Sequence, residues 1–408
     1  MRLLPAWYPM YETVADALPL LTPSQVRQLT LWLAGTLEAG SGCEAAVVLA
    51  LQEAAAEAGV PVAANTIRQD LRELFREGTA KRTPHGSELE VAACFPALLA
   101  YVLRLLDTRQ LALALDVTNF QDRVAAIVVS VVYRGRAIPV AWEMRGGQER
   151  GRWMPLILAL LARLVPVVPA SVQVLVLADE GLFSPVLLRT VRDSGWIPML
   201  RGHLQTEVTL AASGRQCQAQ ALVPGPGHAW VGRIRLFKTP KLQLQVTLLV
   251  VWGVGHEHAW VLVTSAAPRA VGVYWYSLRY WIEAGFRDLK AIGWQWERTQ
   301  RQAAGRVARH WLVLAIATIW ALAAGTVAEE AARQGVPRAL VVRPALPPPP
   351  LTGTRTVSAF TRGCTILRRR LLRGTLTLEA WLLQEAWPEP PPDLCITYDD
   401  DPHTALPR

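Results

Sequence analysis

The chain has 408 residues, enough for two or three domains with a sizeable core, and 51% hydrophobic against 18% charged content excludes an intrinsically disordered protein. Its 42 Lys and Arg outnumber 33 Asp and Glu, a formal charge of +9 that favours a polyanionic partner, with nucleic acid the first candidate. The five cysteines, Cys43, Cys94, Cys217, Cys364 and Cys395, are scattered and form no CxxC pair; with no apolar run of signal-peptide length after Met1, this fits a reducing cytoplasm.

Residues 1–90 read as an all-α domain. Thr22-Pro23-Ser24 marks a helix start, followed by Val26, Leu29 and Leu33 at helical spacing. A second helix covers about 44–58 and is broken by Gly59-Val60-Pro61. A third opens near Asn65 or Thr66, either of which is a candidate cap, and continues to Gly78. The string at 54–78 resembles a bacterial helix-turn-helix within 44–78, and the basic segment 79–86 would form a wing. Arg68, Arg72 and Arg76 recur every fourth residue, so one helix face offers cations to phosphates; the alternative is a helical bundle with a solvated arginine face.

From 105 to 201 the pattern becomes β-β-β-α-β-α-β. Apolar runs at 111–115 and 172–178 each end on an aspartate, Asp116 and Asp179, which puts both carboxylates at strand ends, where parallel sheets place functional groups. Glu180 adjoins Asp179 and is a lesser alternative, since successive residues leaving a strand point oppositely. Residues 202–267 are rich in β-formers and show no helical period, which reads as a β-rich insertion. Its Trp230, Trp252 and Trp260 are candidates for stacking on an unpaired base, with core packing as the competing use. His256 and His258 would share one side of a strand, but no third metal ligand stands near them in sequence.

Residues 275–290 read as one helix within a segment 268–335. In it Tyr276, Arg279, Glu283 and Lys290 fall within roughly a 60° arc at about 100° per residue, while Leu278, Trp281, Ile282, Gly285, Phe286 and Leu289 form an apolar stripe. Arg287 shares the polar face. A surface ion-pair ladder of Arg279, Glu283 and Arg287 is the competing explanation. The apolar run 311–328 reaches the length of a membrane span, but its threonines, glycine and alanines favour a buried core helix, so no membrane partner is expected. Residues 336–408 read as a proline-rich linker, with prolines at 344 and 347–350, and a basic, mobile tail carrying Arg368, Arg369, Arg370 and Arg373.

Two strand-end aspartates and a helical glutamate form a donor set for two Mg²⁺ ions, with Mn²⁺ as a substitute. With Tyr276, Arg279, Glu283 and Lys290 in a Tyr-x2-Arg-x3-Glu-x6-Lys spacing, the chain resembles an insertion-sequence DDE transposase of the group marked by the Tyr-Arg-Glu-Lys signature. The resemblance covers about 105–330. It implies an α/β fold: a ribonuclease H-like core with an inserted β-rich domain, preceded by the all-α N-terminal DNA-binding domain. It implies Asp116, Asp179 and Glu283 as catalytic metal ligands, and Tyr276, Arg279 and Lys290 as contacts to DNA phosphates, to which the helix face adds Arg287. It also implies cut-and-paste transfer through a hairpin intermediate, terminal inverted repeats and target DNA as partners, a homodimer in a synaptic complex, and a prokaryotic, nucleoid-associated location in the cytoplasm. A non-catalytic DNA-binding regulator derived from a transposase is the alternative.

Overall fold

A computed structural model describes residues 1–77, 88–120, 122–147, 149, 153–236, 243–345, 357–379 and 381–399. The basic segment 79–86 and the prolines at 347–350 lie outside the described residues. In chain order the elements are α1 (Tyr8–Ala17), α2 (Pro23–Ala39), α3 (Glu44–Glu57), α4 (Ala64–Arg72), α5 (Val91–Leu106), β1 (Gln110–Phe120), β2 (Val124–Tyr133), β3 (Arg136–Gly146), α6 (Trp153–Leu164), β4 (Gln173–Ala178), α7 (Pro185–Asp193), β5 (Ile197–Gly202), β6 (Glu207–Leu210), β7 (Gln216–Gln218), β8 (His228–Leu236), β9 (Leu244–Trp252), β10 (Trp260–Thr264), α8 (Trp281–Lys290), α9 (Ala304–Gln334), α10 (Ala359–Leu372) and β11 (Cys395–Asp399). From β1 to β5 this is the β-β-β-α-β-α-β order read from the sequence. The chain divides into two compact units: Met1–Thr108, Val117–Pro169 and Trp281–Ala386 make the first, and Arg109–Asp116, Ala170–Tyr280 and Trp387–Arg408 the second.

In the first unit, Thr22 caps α2 through a box in which Gln25 N–H donates to Thr22 Oγ1 at 3.3 Å and Thr22 N–H to Gln25 Oε1 at 2.9 Å. The start of α4 differs from expectation. Ala63 is its N-cap without a side-chain bond, and Asn65, already inside the first turn, accepts from Arg68 Nη1 at 3.1 Å. The helix stops at Arg72 and gives way to a 3-10 turn, Glu73–Phe75, short of Gly78. At this turn Trp32 Nε1 takes the Leu71 carbonyl at 2.9 Å, which an α-helical Phe75 N–H would otherwise use, and buried Arg309 of α9 takes Phe75 O at 2.9 Å through Nη1 and Leu89 O at 3.2 Å through Nε.

These bonds also show why the N-terminal helices do not stand apart as a domain. Trp32 of α2 stacks against Phe75 and His310, with centroids 5.2 and 5.1 Å away, and Gly42 N–H donates to Trp294 O at 2.6 Å. One core therefore serves α2, α4 and α9. Helix α9 is long and apolar enough to cross a membrane, yet 94% of its apolar window is buried inside the protein. The expected tail is likewise part of this core. Helix α10 crosses α9 at Gly325 and Gly363, where an added Cβ would lie 1.8 Å from Ala359 O and 1.6 Å from Ala321 O respectively, so the two backbones touch. Phe360, Leu367 and Leu371 are buried beside that crossing. Proline and arginine content masked this small-residue face in the sequence.

The end of β1 closes a β3-β2-β1 meander in the first unit, and α8 lies on its hairpin. In the second unit the sheet order is β1-β4-β5-β10-β9-β8-β6-β7, with β11 parallel to β8. Strands β1, β4 and β5 run parallel, while β10 joins β5 antiparallel from Val261↔Gly202 to Thr264↔Met199. The strands expected as an inserted domain thus continue the sheet, because β10 satisfies backbone groups that the edge of β5 would otherwise leave open.

Gly285 sets how closely α8 approaches β3: an added Cβ would stand 2.8 Å from Ala137 Cβ and 3.0 Å from its backbone nitrogen. Gly285→Ala is expected to destabilise the protein by about 1–3 kcal/mol through overpacking, read as a lower urea midpoint at unchanged m-value.

Candidate active site

The parallel β1/β4 ladder ends at the pair Leu115↔Ala178. Both strands are buried through those residues, as a parallel sheet covered on both faces requires. The next residue on each strand is an aspartate, so the ladder itself sets Asp116 and Asp179 side by side. Asp179 follows the last residue of β4, as expected. Asp116 does not follow its strand; β1 continues to Phe120, and Asp116 marks the point where pairing with β4 stops.

A cation lies between the two carboxylates. Arg279 Nη2 is 3.2 Å from Asp116 Oδ1 and 3.3 Å from Asp179 Oδ2, and the Arg279 residue is only 7% exposed. The Asp116 side chain is 16% exposed and that of Asp179 41%, so the pair opens to solvent on the Asp179 side. Glu180, the neighbouring carboxylate, instead stands against His203 Nδ1.

Arg279 and Tyr276 sit on a 3-10 segment, Trp275–Tyr280, not on the continuous helix expected for 275–290; the α-helical part begins at Trp281. With three residues per 3-10 turn, positions 276 and 279 still share a side. Tyr276 is 2% exposed, and its hydroxyl donates to Ala178 O at 3.4 Å, the carbonyl preceding Asp179. Burial pushes its phenol far above the usual range, against the opposing pull of Arg279 and Arg201. Trp260 lies edge-on to Tyr276 at 5.6 Å and also meets His256, Tyr274 and Tyr280. Tyr276 and Arg279, expected on the polar face of one continuous helix, are buried, Tyr276 against Ala178 O and Arg279 between the two aspartates.

The rest of the signature belongs to the first unit. On α8, Glu283 and Arg287 are exposed, whereas Ile282, Gly285, Phe286 and Leu289 are buried. Lys290 Nζ donates to Thr118 Oγ1 at 2.7 Å and Asn119 O at 3.2 Å and stands 4.5 Å above the Phe120 ring, so it fastens α8 to the end of β1. Sequence reasoning missed Asp288, which flanks the apolar stripe and shows no periodic signal. It is buried 2.6 Å from Arg136 Nε, and burial pushes its carboxyl up to about 6 against the pull of that arginine.

Of the other candidates, Arg72 is exposed 3.4 Å from Glu44, Arg76 is exposed beside Glu73 at 2.9 Å, and Arg68 is half-buried. Trp230 and Trp260 are 6% exposed, and half-buried Trp252 donates its indole N–H to His256 O at 2.9 Å. Among the described residues no group of three or more His, Cys, Asp or Glu side chains is gathered to hold a metal. Asp116 and Asp179 nonetheless fit a divalent ion: they are hard oxygen donors that already converge on one cation.

Residues 153–320 match the family model described as a transposase DDE domain. The matched stretch contains Asp179, Tyr276, Arg279, Glu283, Arg287 and Lys290 and begins after Asp116. No curated protein matches the chain.

Trp260 is wall, not platform, in this arrangement. Trp260→Ala is expected to cost about 3–5 kcal/mol of stability, as for a large core aromatic. An exposed base-stacking residue would leave the thermal midpoint nearly unmoved, so a melting curve separates the two roles.

Proposed function

We propose, on the premise that residues 153–320 are a transposase DDE domain, that the chain cuts the ends of a mobile DNA element and joins the freed 3′-hydroxyls to target DNA. The observation that carries this reading is the pair Asp116 and Asp179, set side by side at the last register of β1 and β4 and converging on a cation. Asp116 and Asp179 are the carboxylates that would hold Mg²⁺, or Mn²⁺ in its place, and the resemblance to DDE transposases adds Glu283 as a third ligand and a second ion. When bound, such ions activate a water or 3′-hydroxyl and neutralise charge at the leaving oxygen of an in-line displacement.

The protein's own groups have separate tasks. Asp116 and Asp179 hold their oxygens toward a single point. Tyr276 ties the 3-10 segment to the end of β4, which aims Arg279. Arg287, exposed on α8, contacts the DNA backbone, as do Arg68 and Arg72 of α4; Lys290 orients α8 while leaving its charge near Thr118. The reaction is cut-and-paste transfer with two copies of the chain in a synaptic complex. The basic balance of +9 is in keeping with a DNA partner.

Mg²⁺-dependent cleavage of terminal inverted-repeat DNA tests the reading. Asp116→Asn, Asp179→Asn and Glu283→Gln should each lower the rate about a hundredfold or more, whereas Glu180→Gln should stay within a few-fold of wild type. Full activity in any of the first three overturns the assignment; specific end binding without cleavage under Mg²⁺ or Mn²⁺ would point to a regulator instead. Arg287→Ala should weaken binding across DNA sequences and reduce the salt slope by about one. Unchanged affinity and slope would remove Arg287 from the interface.

A further inference from the structure

We propose that Arg279 is a built-in competitor for the divalent cation: its guanidinium occupies the space between Asp116 and Asp179 in the metal-free protein and must leave before a metal can enter. The inference rests on the reading of these two aspartates as metal ligands and adds what controls their loading.

Three features of the second unit support it. First, one nitrogen, Nη2, faces both carboxylates, at 3.2 and 3.3 Å, the arrangement of a bridging ion and not of two separate surface pairs. Second, Arg279 is anchored from behind. Tyr276, one 3-10 turn earlier, is bonded to Ala178 O and walled by Trp260, so the arginine is presented to the pair by a fixed backbone. Third, two carboxylates held side by side repel each other, and a single positive charge shared between them relieves that repulsion without a metal.

A divalent ion carries twice the charge and takes carboxylate oxygens at about 2.0–2.6 Å, closer than the guanidinium stands. A metal held by the two oxygens that Arg279 faces would displace the guanidinium, and the apparent metal affinity would then be lowered by the strength of the pairs that Arg279 gives up.

The test is Mn²⁺ binding to the full chain, followed by calorimetry, together with thermal melting in the absence and presence of saturating Mn²⁺. Arg279→Gln should bind Mn²⁺ about tenfold more tightly than wild type. Without metal it should melt at a lower temperature than wild type, because two carboxylates are left facing each other, and saturating Mn²⁺ should close that gap. Arg279→Lys, which keeps the charge but not the fork, should fall between the two, and it serves if the glutamine variant folds poorly. Arg215→Gln removes the same charge next to β7, at the far end of the sheet order from the aspartates, and should change affinity by less than about twofold.

Equal Mn²⁺ affinity in wild type and both Arg279 variants overturns the competitor role while leaving the metal site intact. A melting deficit in Arg279→Gln that persists under saturating Mn²⁺ does the same, since it marks a merely structural arginine. Absence of Mn²⁺ binding in wild type and variants alike overturns the assignment of Asp116 and Asp179 as metal ligands, and the competitor with it.

Discussion

The second unit is organised around a repulsion. The β1/β4 ladder is apolar and buried up to Leu115 and Ala178, and its register gives the next two residues no choice but to emerge as neighbours. Both are aspartates. Two carboxylates fixed in this way raise each other's free energy unless a cation stands with them, and Arg279 supplies one. The turn that delivers Arg279 is held in turn by Tyr276 on Ala178 and by the Trp260 cluster on β10. Strands β8 to β10 thus do more than extend a sheet: β10 covers the edge of β5 and supplies the aromatic wall for the turn.

The first unit solves a different problem, which is to fix a short helix on a hairpin. Gly285 allows α8 to touch Ala137, Arg136 pairs with buried Asp288, and Lys290 grips Thr118 and Asn119. The first two attachments lie on one side and leave Glu283 and Arg287 exposed on the other, while Lys290, in phase with Glu283, reaches the end of β1 from the last turn of α8. Behind them α9 is the common spine, because its length and uncharged central stretch let it bury surface against α2, the hairpin and α10 at once. Its buried Arg309 takes the carbonyls of Phe75 and Leu89.

Much of this was legible in the sequence wherever a single local rule decided the outcome. The apolar runs that lead to Asp116 and Asp179, the Thr22-Pro23 helix start and the apolar stripe of α8 depend on periodicity and capping, which neighbouring residues settle among themselves. What was not legible depended on distant partners. Nothing near Gly363 announces that its backbone will meet Ala321, and nothing near Phe75 announces an arginine more than two hundred residues away that takes its carbonyl. The same holds for the domain boundaries: 1–90 has helical periodicity, but its apolar faces are complete only against α9. Arg279 is the instructive case at the site, since helical phase alone places it among exposed cations and only the β1/β4 register reveals what it faces.

The Tyr-Arg-Glu-Lys spacing consequently reads as two short motifs joined at Tyr280 and Trp281. The first, Tyr276 and Arg279, obeys three-residue periodicity on a 3-10 segment and is buried, with its polar atoms turned to Ala178, Asp116 and Asp179. The second, Glu283 to Lys290, obeys α-helical periodicity and keeps its acid exposed while its lysine anchors the helix. A continuous α-helix would satisfy the sequence pattern equally well, because offsets of three fit either geometry. The side chains distinguish them: an arginine only 7% exposed needs counter-charge close at hand, and Asp116 and Asp179 supply it. Burial of that charge, more than the spacing, separates Tyr276 and Arg279, which stand against the aspartate pair, from Glu283 and Arg287, which are exposed on α8.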